Sequence, residues 1–181
     1  MNKTIRGKLT DQELAYIAGI IDGEGHLGIS KNTTKRQRQK SPKYQSEVCV
    51  INTDKRLMDW MEQRVGGLVN ARTSKSSLNP KWKISYRWRI QEGRHQDFLR
   101  SILPYLVIKK RQAELIIEYW NKKTRSYRQG KQWTISLEEL EMREYYNQEL
   151  KKLNARGNRE HPQRLNETTS LPKDDAIVRT T

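Results

Sequence analysis

Residues 17–25 read Ile17-Ala18-Gly19-Ile20-Ile21-Asp22-Gly23-Glu24-Gly25, and this stretch decides how the rest of the chain is interpreted. It ends a predicted helix that begins at a capping box, in which the side chains of Thr10 and Glu13 each accept a hydrogen bond from the other residue's backbone N–H. Its glycines predict that the helix stops near Gly25, because glycine adopts backbone angles that other residues avoid.

The predicted helix has two different sides. Leu14, Ile17 and Ile21 recur at helical spacing and form an apolar side. The other side carries small residues and one acid, namely Ala15, Ala18, Gly19, Asp22 and Gly23. Small side chains allow a second helix to approach closely. The helix dipole disfavours carboxylates at a C-terminus. Asp22 and Glu24 therefore indicate a bound cation there, and carboxylate oxygens suit Mg²⁺.

The composition points to a polyanionic partner. The 181 residues include 36 Lys and Arg against 21 Asp and Glu, so the net charge is +15. A small domain typically has a net charge of about 2–8 in magnitude.

The single Cys49 excludes an internal disulfide, and three histidines cannot form a zinc finger. No apolar run approaches the ~18–20 residues that span a bilayer, and the first ten residues lack a signal peptide's hydrophobic stretch. We therefore expect an intracellular protein without a membrane partner; the compartment, whether bacterial or phage cytoplasm or an organelle, stays open.

The hydrophobic pattern predicts an α+β chain in the order helix–strand–strand–helix–strand–strand–helix. After the first helix come a strand through Leu27 and Ile29 and a second through Val48 and Val50. Further elements are a helix that is capped by Thr53 or Asp54 and runs to Val65, strands over 68–74 and 81–90, and helices over 95–103, 110–122 and 136–153. The last helix is opened by a Ser136/Glu139 capping box. Residues 1–153 form one predicted domain, and the polar, aperiodic residues 154–181 are expected to be a disordered basic tail.

The stretch at residues 17–25 resembles the signature of the LAGLIDADG homing endonucleases. A second segment, residues 104–113 (PYLVIKKRQA), is similar to the family's segment that carries a basic active-site residue ahead of the last core helix. The resemblance covers roughly residues 10–119. It implies an αββαββα fold with an antiparallel sheet shaped as a saddle, here with an extra C-terminal helix.

The resemblance also implies a site-specific double-strand DNA endonuclease that leaves 3′ overhangs. Glu24 matches the family's metal ligand, and the carbonyl oxygen of Gly23 would add a backbone ligand. The implied cofactor is Mg²⁺, with Mn²⁺ or another divalent metal possible. Lys109 matches the lysine near the scissile phosphate. Asn52 and Arg56 resemble in position the residues that organise the attacking water.

A single copy of the signature implies a homodimer, because each DNA strand needs its own carboxylate. Two chains would pack their signature helices about a two-fold axis and recognise a long pseudo-palindromic site. The residues expected at this interface are Ala15, Ala18, Gly19 and Asp22. Asp22 is also expected to support the turn after the helix.

Strand alternation selects the residues that would face double-stranded DNA. In the first two strands they are Gly28, Ser30, Asn32, Lys43, Gln45 and Glu47, with Cys49 at the same parity. In the next two they are Asn70, Arg72, Ser74, Lys83, Ser85, Arg87 and Arg89. Phosphate contacts are expected from the loop residues Lys35, Arg36, Arg38 and Lys40, and from Lys122, Lys123, Arg125, Arg128 and Lys131.

Two other functions compete with the endonuclease. One is a maturase, which would use the same fold to bind its host intron RNA, and the other is a non-catalytic DNA-binding protein. The presence of both Glu24 and Lys109 argues against complete loss of catalysis. His26 directly follows the signature, but an ordinary polar role in a strand is favoured over catalysis. Trp60, Trp82 and Trp88 are assigned to core packing rather than base stacking.

Overall fold

The chain is described from a computed structural model covering residues 9–33, 41–72, 84–129 and 132–155. The helices are α1 (Asp11–Glu24), α2 (Lys55–Val65), α3 (His95–Ile102), α4 (Lys110–Lys122) and α5 (Leu137–Asn154). The strands are β1 (Gly25–Asn32), β2 (Lys43–Asn52), β3 (Leu68–Arg72), β4 (Ser85–Arg89), β5 (Tyr127–Gln129) and β6 (Gln132–Thr134). The predicted α+β class is confirmed, and the order of helices and strands from α1 to α4 is the predicted one.

Helix α1 begins and ends where the sequence predicts, but the glycine at its end acts differently. The capping box is present, with Thr10 N–H donating to Glu13 Oε2 at 2.9 Å and Glu13 N–H donating to Thr10 Oγ1 at 3.3 Å. Gly25 has an ordinary φ of −77°. A Cβ at Gly25 would lie 2.5 Å from the carbonyl oxygen of Ile21. Glycine is therefore needed for space at the helix-to-strand junction, and not for an unusual dihedral angle.

Strands β1 to β4 form one antiparallel sheet in the order β1-β2-β4-β3. One face is buried against the helices and carries the apolar residues Leu27, Ile29, Val48, Val50 and Trp88. Trp88 is fully buried and its Nε1–H donates to the carbonyl of Gly66 at 2.8 Å, so its predicted core role is correct. The opposite side of the four strands is called the open sheet face below.

Helix α5 protects the edge strand β1. Asn147 Nδ2 donates to the carbonyl of Ile29 at 2.6 Å, and Asn154 Nδ2 donates to that of Leu27 at 2.8 Å. These amides occupy acceptors that a neighbouring strand would otherwise use. Asn154 thus belongs to the last helix, one residue beyond the predicted boundary at 153; residues 156–181 lie outside the described residues, so the disordered tail stays a prediction.

Two features near α5 differ from expectation. The hairpin β5–β6 was not predicted; it is anchored by a 3.0 Å hydrogen bond between the hydroxyls of Ser41 and Thr134. Ser136 accepts from Glu139 N–H at 3.2 Å, but the Glu139 carboxylate turns inward to Thr124 and Arg143 instead of completing the capping box.

In the described part of the chain, no helix is both long and apolar enough to cross a bilayer.

A buried histidine supports β2 from the helical side. His95 is 2% exposed, with Nδ1 2.7 Å from Ser46 Oγ and Nε2 3.1 Å from the carbonyl of Ile90. A carbonyl only accepts, so Nε2 carries the proton and Nδ1 accepts from the Ser46 hydroxyl. Trp120 Nε1–H in turn donates to Ser46 Oγ at 3.0 Å. Burial lowers the pKa of His95, against the opposing influence of the Ile90 carbonyl and the Glu92 charge.

This histidine predicts a pH dependence of stability. Because the pKa is lower in the folded state than the ~6.5 of an unfolded chain, the unfolded chain binds more protons below that pH, and stability falls as the solution is acidified from pH 7 towards 5. We expect the melting temperature of His95→Gln to change less over this interval than that of the natural chain. Equal slopes for the two proteins would show that His95 binds its proton equally well in the folded and the unfolded chain, so that burial does not lower its pKa.

Candidate active site and nucleic-acid interface

The end of α1 places two groups with oxygen atoms that can bind a metal ion at the start of the sheet. Glu24 is exposed, and the residue after it, Gly25, pairs with Val50 of β2. The last backbone hydrogen bond of the helix runs from Gly25 N–H to Ile21 O, so the carbonyl of Gly23 has no helical partner. A carboxylate and a carbonyl are hard oxygen ligands, which fit Mg²⁺. Among the described residues of one chain, however, no three His, Cys, Asp or Glu side chains form a metal-binding cluster.

Asp22 binds a loop of its own chain. Its carboxylate accepts the backbone N–H groups of Val107 and Lys109, each at 2.8 Å. Burial would raise the pKa of Asp22, but the hydrogen bonds from this loop outweigh it and hold the pKa below its usual value. Backbone donors thus explain the acid at this helix end, and the expectation that Asp22 lies in a dimer interface stays a prediction.

Lys109 is brought directly to the end of the signature helix. Its Nζ donates to the carbonyl oxygens of Ile21 at 2.9 Å and Asp22 at 2.5 Å, which satisfies two acceptors at the helix C-terminus. Burial lowers the pKa of Lys109, while the charges of Asp22 and Glu24 act to raise it. The structure therefore places Lys109 beside Gly23 and Glu24, and the roles of these three residues stay a prediction.

Asn52 and Arg56 lie near the same end of the sheet, engaged in local contacts. Asn52 is the last residue of β2, two positions after Val50, and its Oδ1 accepts from Asp54 N–H at 2.8 Å. The Arg56 guanidinium binds the Asp54 carboxylate at 2.6 Å, and this hydrogen bond lowers the pKa of Asp54 to about 2. A role for Asn52 and Arg56 in organising water stays a prediction.

The open sheet face collects the predicted DNA-facing residues of all four strands. Strand register pairs Gly28 with Glu47 and Asn70 with Arg87, and residues paired across antiparallel strands share a face. By the same register the face also includes Ser30, Asn32, Lys43, Gln45, Arg72, Ser85 and Arg89. The remaining candidates, Lys35, Arg36, Arg38, Lys40, Ser74 and Lys83, lie outside the described residues, as does Trp82.

Two residues expected at the protein surface are buried or already paired. Cys49 has the parity of the open sheet face but is 2% exposed. Lys123, expected to contact phosphates, instead binds Glu92 Oε1 at 3.2 Å and lies 4.2 Å from the centre of the Trp120 ring. Lys122 and Arg125 are exposed and stay candidates for phosphate contact.

The exposed side of α1 differs from the predicted interface at Ala18. Ala15 and Gly19 are exposed, and a Cβ built on Gly19 or Gly23 would meet no atom within 4 Å. Ala18 is fully buried in the core of its own chain, so its assignment to an interface is wrong. Tyr16, which the sequence did not single out, is 56% exposed on this side. We call Ala15, Tyr16, Gly19 and Gly23 the α1 face.

The helix order, the sheet and the signature helix define the fold of the LAGLIDADG homing endonucleases, which the sequence resemblance had indicated. Among solved structures, the chain is similar to the archaeal intron-encoded homing endonuclease I-Vdi141I complexed with DNA, with a TM-score of 0.61 and 16% identity over 83% of this chain and 89% of that one. It is also similar to the homing endonuclease I-CvuI, solved with the I-CreI target and Mg and with the DNA not cleaved. There the TM-score is 0.59 and the identity 16%, over 82% of this chain and 85% of that one.

At this level of identity the structural likeness establishes the fold. No family model matches the chain, and no curated protein has a similar sequence. The residues of the site therefore decide which function is proposed.

Proposed function

We propose that the chain is a site-specific DNA endonuclease of the LAGLIDADG type, acting as a homodimer on double-stranded DNA. The observation that carries this proposal is the position of Glu24, exposed at the end of the signature helix and one residue before the first strand of a cationic sheet face. The DNA complexes of I-Vdi141I and I-CvuI, which have the same fold, support it.

Glu24 and the Gly23 carbonyl are the residues that would hold Mg²⁺ or Mn²⁺. When bound, such a metal supplies an activated water and stabilises negative charge on the phosphoryl oxygens. Hydrogen bonds to Asp22 and to the helix carbonyls fix Lys109 beside these ligands. Its ammonium group would stabilise the negative charge that develops on the reacting phosphate. Asn52 and Arg56 would position the water.

Cleavage of both DNA strands requires two such sites. One chain offers Glu24 as a single exposed carboxylate at the helix end and, in its described part, no complete metal cluster. Packing two α1 faces about a two-fold axis would bring two Glu24 side chains to the middle of the DNA site. The target is then pseudo-palindromic, and by analogy with the family the products have 3′ overhangs.

The experiment is cleavage of a randomised double-stranded DNA library by the purified protein with Mg²⁺, followed by sequencing of the cut ends. We expect cuts at a single long, nearly symmetric sequence with 3′ overhangs, and none in EDTA. Sequence-specific binding without any cut would favour the non-catalytic alternative. Absence of sequence preference in both binding and cutting would reject the proposal.

Lys109→Met provides a test of the basic residue. The substitution keeps much of the side-chain length but removes the ammonium group, so we expect single-turnover cleavage to slow by roughly 10²–10³ and DNA affinity to change far less. Because Lys109 also caps α1, a thermal melt should accompany the kinetics. A variant that binds weakly but cuts at the natural rate once bound would make Lys109 a DNA-positioning residue.

A further inference from the structure

The centre of the open sheet face carries a charged cluster that the proposed chemistry does not use. Glu47 lies on β2 opposite Gly28 of β1. Its Oε2 is 3.8 Å from Nε2 of His26 and 3.7 Å from a terminal guanidinium nitrogen of Arg87. Among the described residues of this face, Glu47 is the one carboxylate, and the cationic residues are Lys43, Arg72, Arg87 and Arg89.

Both basic side chains lie along the sheet towards Glu47. His26 covers Gly28, since a Cβ on Gly28 would come within 2.8 Å of His26 Nε2. Arg87 approaches from β4, and the residue of β2 that lies between Arg87 and Glu47 on this face is Cys49. Cys49 is 2% exposed and is paired with His26 on one side and Arg89 on the other. Glu47 therefore lies between the His26 imidazole and the Arg87 guanidinium, at ion-pair rather than hydrogen-bond distance from each.

A carboxylate at this position needs a chemical reason. It repels phosphates, so it weakens binding to every DNA sequence alike. A carboxylate in the major groove, however, accepts a hydrogen bond from an exocyclic amino group, as in cytosine N4–H₂, and a guanidinium donates two hydrogen bonds to O6 and N7 of guanine. An acceptor beside a forked donor is thus complementary to both halves of one G·C pair.

We infer that Glu47 and Arg87 together read one G·C base pair in each half of the DNA site, Glu47 accepting from cytosine N4–H₂ and Arg87 donating to guanine O6 and N7. His26 lies on the β1 side of the Glu47 carboxylate, 3.8 Å from it. The inference rests on the proposed DNA-binding function and adds to it the residue pair that fixes one position of the target.

The test is selection of binding sites from a randomised duplex library, with Ca²⁺ in place of Mg²⁺, by the natural chain, Glu47→Gln and Arg87→Ala. A glutamine amide both accepts and donates, which suits adenine N6 and N7. We expect Glu47→Gln to change the preference at one base pair per half-site from C·G towards A·T by roughly tenfold or more, with the other positions unchanged. Arg87→Ala should lose the guanine preference at the same base pair.

Glu62→Gln is the matched control, because Glu62 is an exposed acid on α2 and its substitution makes the same charge change away from the open sheet face. It should leave every base preference as in the natural chain. If Glu47→Gln also leaves the preferences unchanged, or lowers affinity equally for all sequences, the inference is wrong although the protein still binds DNA specifically. If the natural chain shows no base preference at all, the proposed function fails and the inference fails with it.

Discussion

Glu24→Gln is expected to reduce Mg²⁺-dependent cleavage by at least about a thousandfold while DNA affinity stays close to that of the natural chain. The exchange keeps the shape of the side chain but removes the charge that a divalent metal needs. Because Glu24 is exposed and belongs to no hydrogen-bonded cluster of the described structure, folding should be unaffected. The measurement is single-turnover cleavage of the selected DNA site, paired with a binding titration.

The control for this variant is again Glu62→Gln, which should cut at the natural rate. A second readout separates metal binding from catalysis, namely calorimetric titration of the protein–DNA complex with Ca²⁺, in which Glu24→Gln should lose metal affinity. Cutting by Glu24→Gln at an undiminished rate would remove the metal-ligand assignment. Natural metal affinity combined with lost cutting would make Glu24 a catalytic group other than a ligand.

Local signals predicted the elements that they control. Helix α4 has the predicted bounds. Helix α2 begins after Asp54, one of its two predicted caps, and ends at Val65, before Gly66 with its positive φ of 85°. The strand alternation was also predictable, since one buried face fixes the register. These elements depend on contacts between residues close in sequence or on the period of burial, and both are visible in a single chain.

Contacts between distant residues were not visible. From the sequence, the acid at the end of α1 predicts a bound cation. In the structure Asp22 instead accepts a hydrogen bond from the N–H of Val107, 85 residues further along the chain. The inward turn of Glu139 depends likewise on Arg143 and Thr124 rather than on its helix cap. The short strands β5 and β6 have three residues each, too few for a pattern. In each case tertiary hydrogen bonds override the local preference.

Ala18 is buried, although its position in the helix predicts an exposed residue, and this narrows the surface that a second α1 helix could contact. The helical spacing predicts the small residues on one exposed side of α1. The core covers a wider arc of this helix than predicted, and Ala18 lies within that arc. The α1 face keeps the exposed residues Ala15, Tyr16, Gly19 and Gly23. Gly19, near the middle of this narrower α1 face, is the position at which the homodimer can be tested most directly.

Gly19→Leu is expected to abolish dimerisation and to slow cleavage by roughly a hundredfold or more, because even an ångström of displacement at a reacting centre has that effect. Within one chain the substitution should be harmless. A Cβ on Gly19 meets nothing within 4 Å, and leucine is the better helix former by roughly 0.5–1 kcal/mol. The monomer should therefore melt at the same or a higher temperature. Loss of activity without loss of stability would locate the defect between chains.

Gly93→Leu is the matched control, since Gly93 also has open space around its Cβ position but lies in the turn before α3. Analytical ultracentrifugation of the natural chain and both variants, with and without the selected DNA, gives the oligomeric state. We expect the natural chain and Gly93→Leu to form dimers on DNA and Gly19→Leu to bind as a monomer. A natural chain that stays monomeric on its target would contradict the homodimer. A dimeric and fully active Gly19→Leu would show that the two α1 helices do not meet at Gly19.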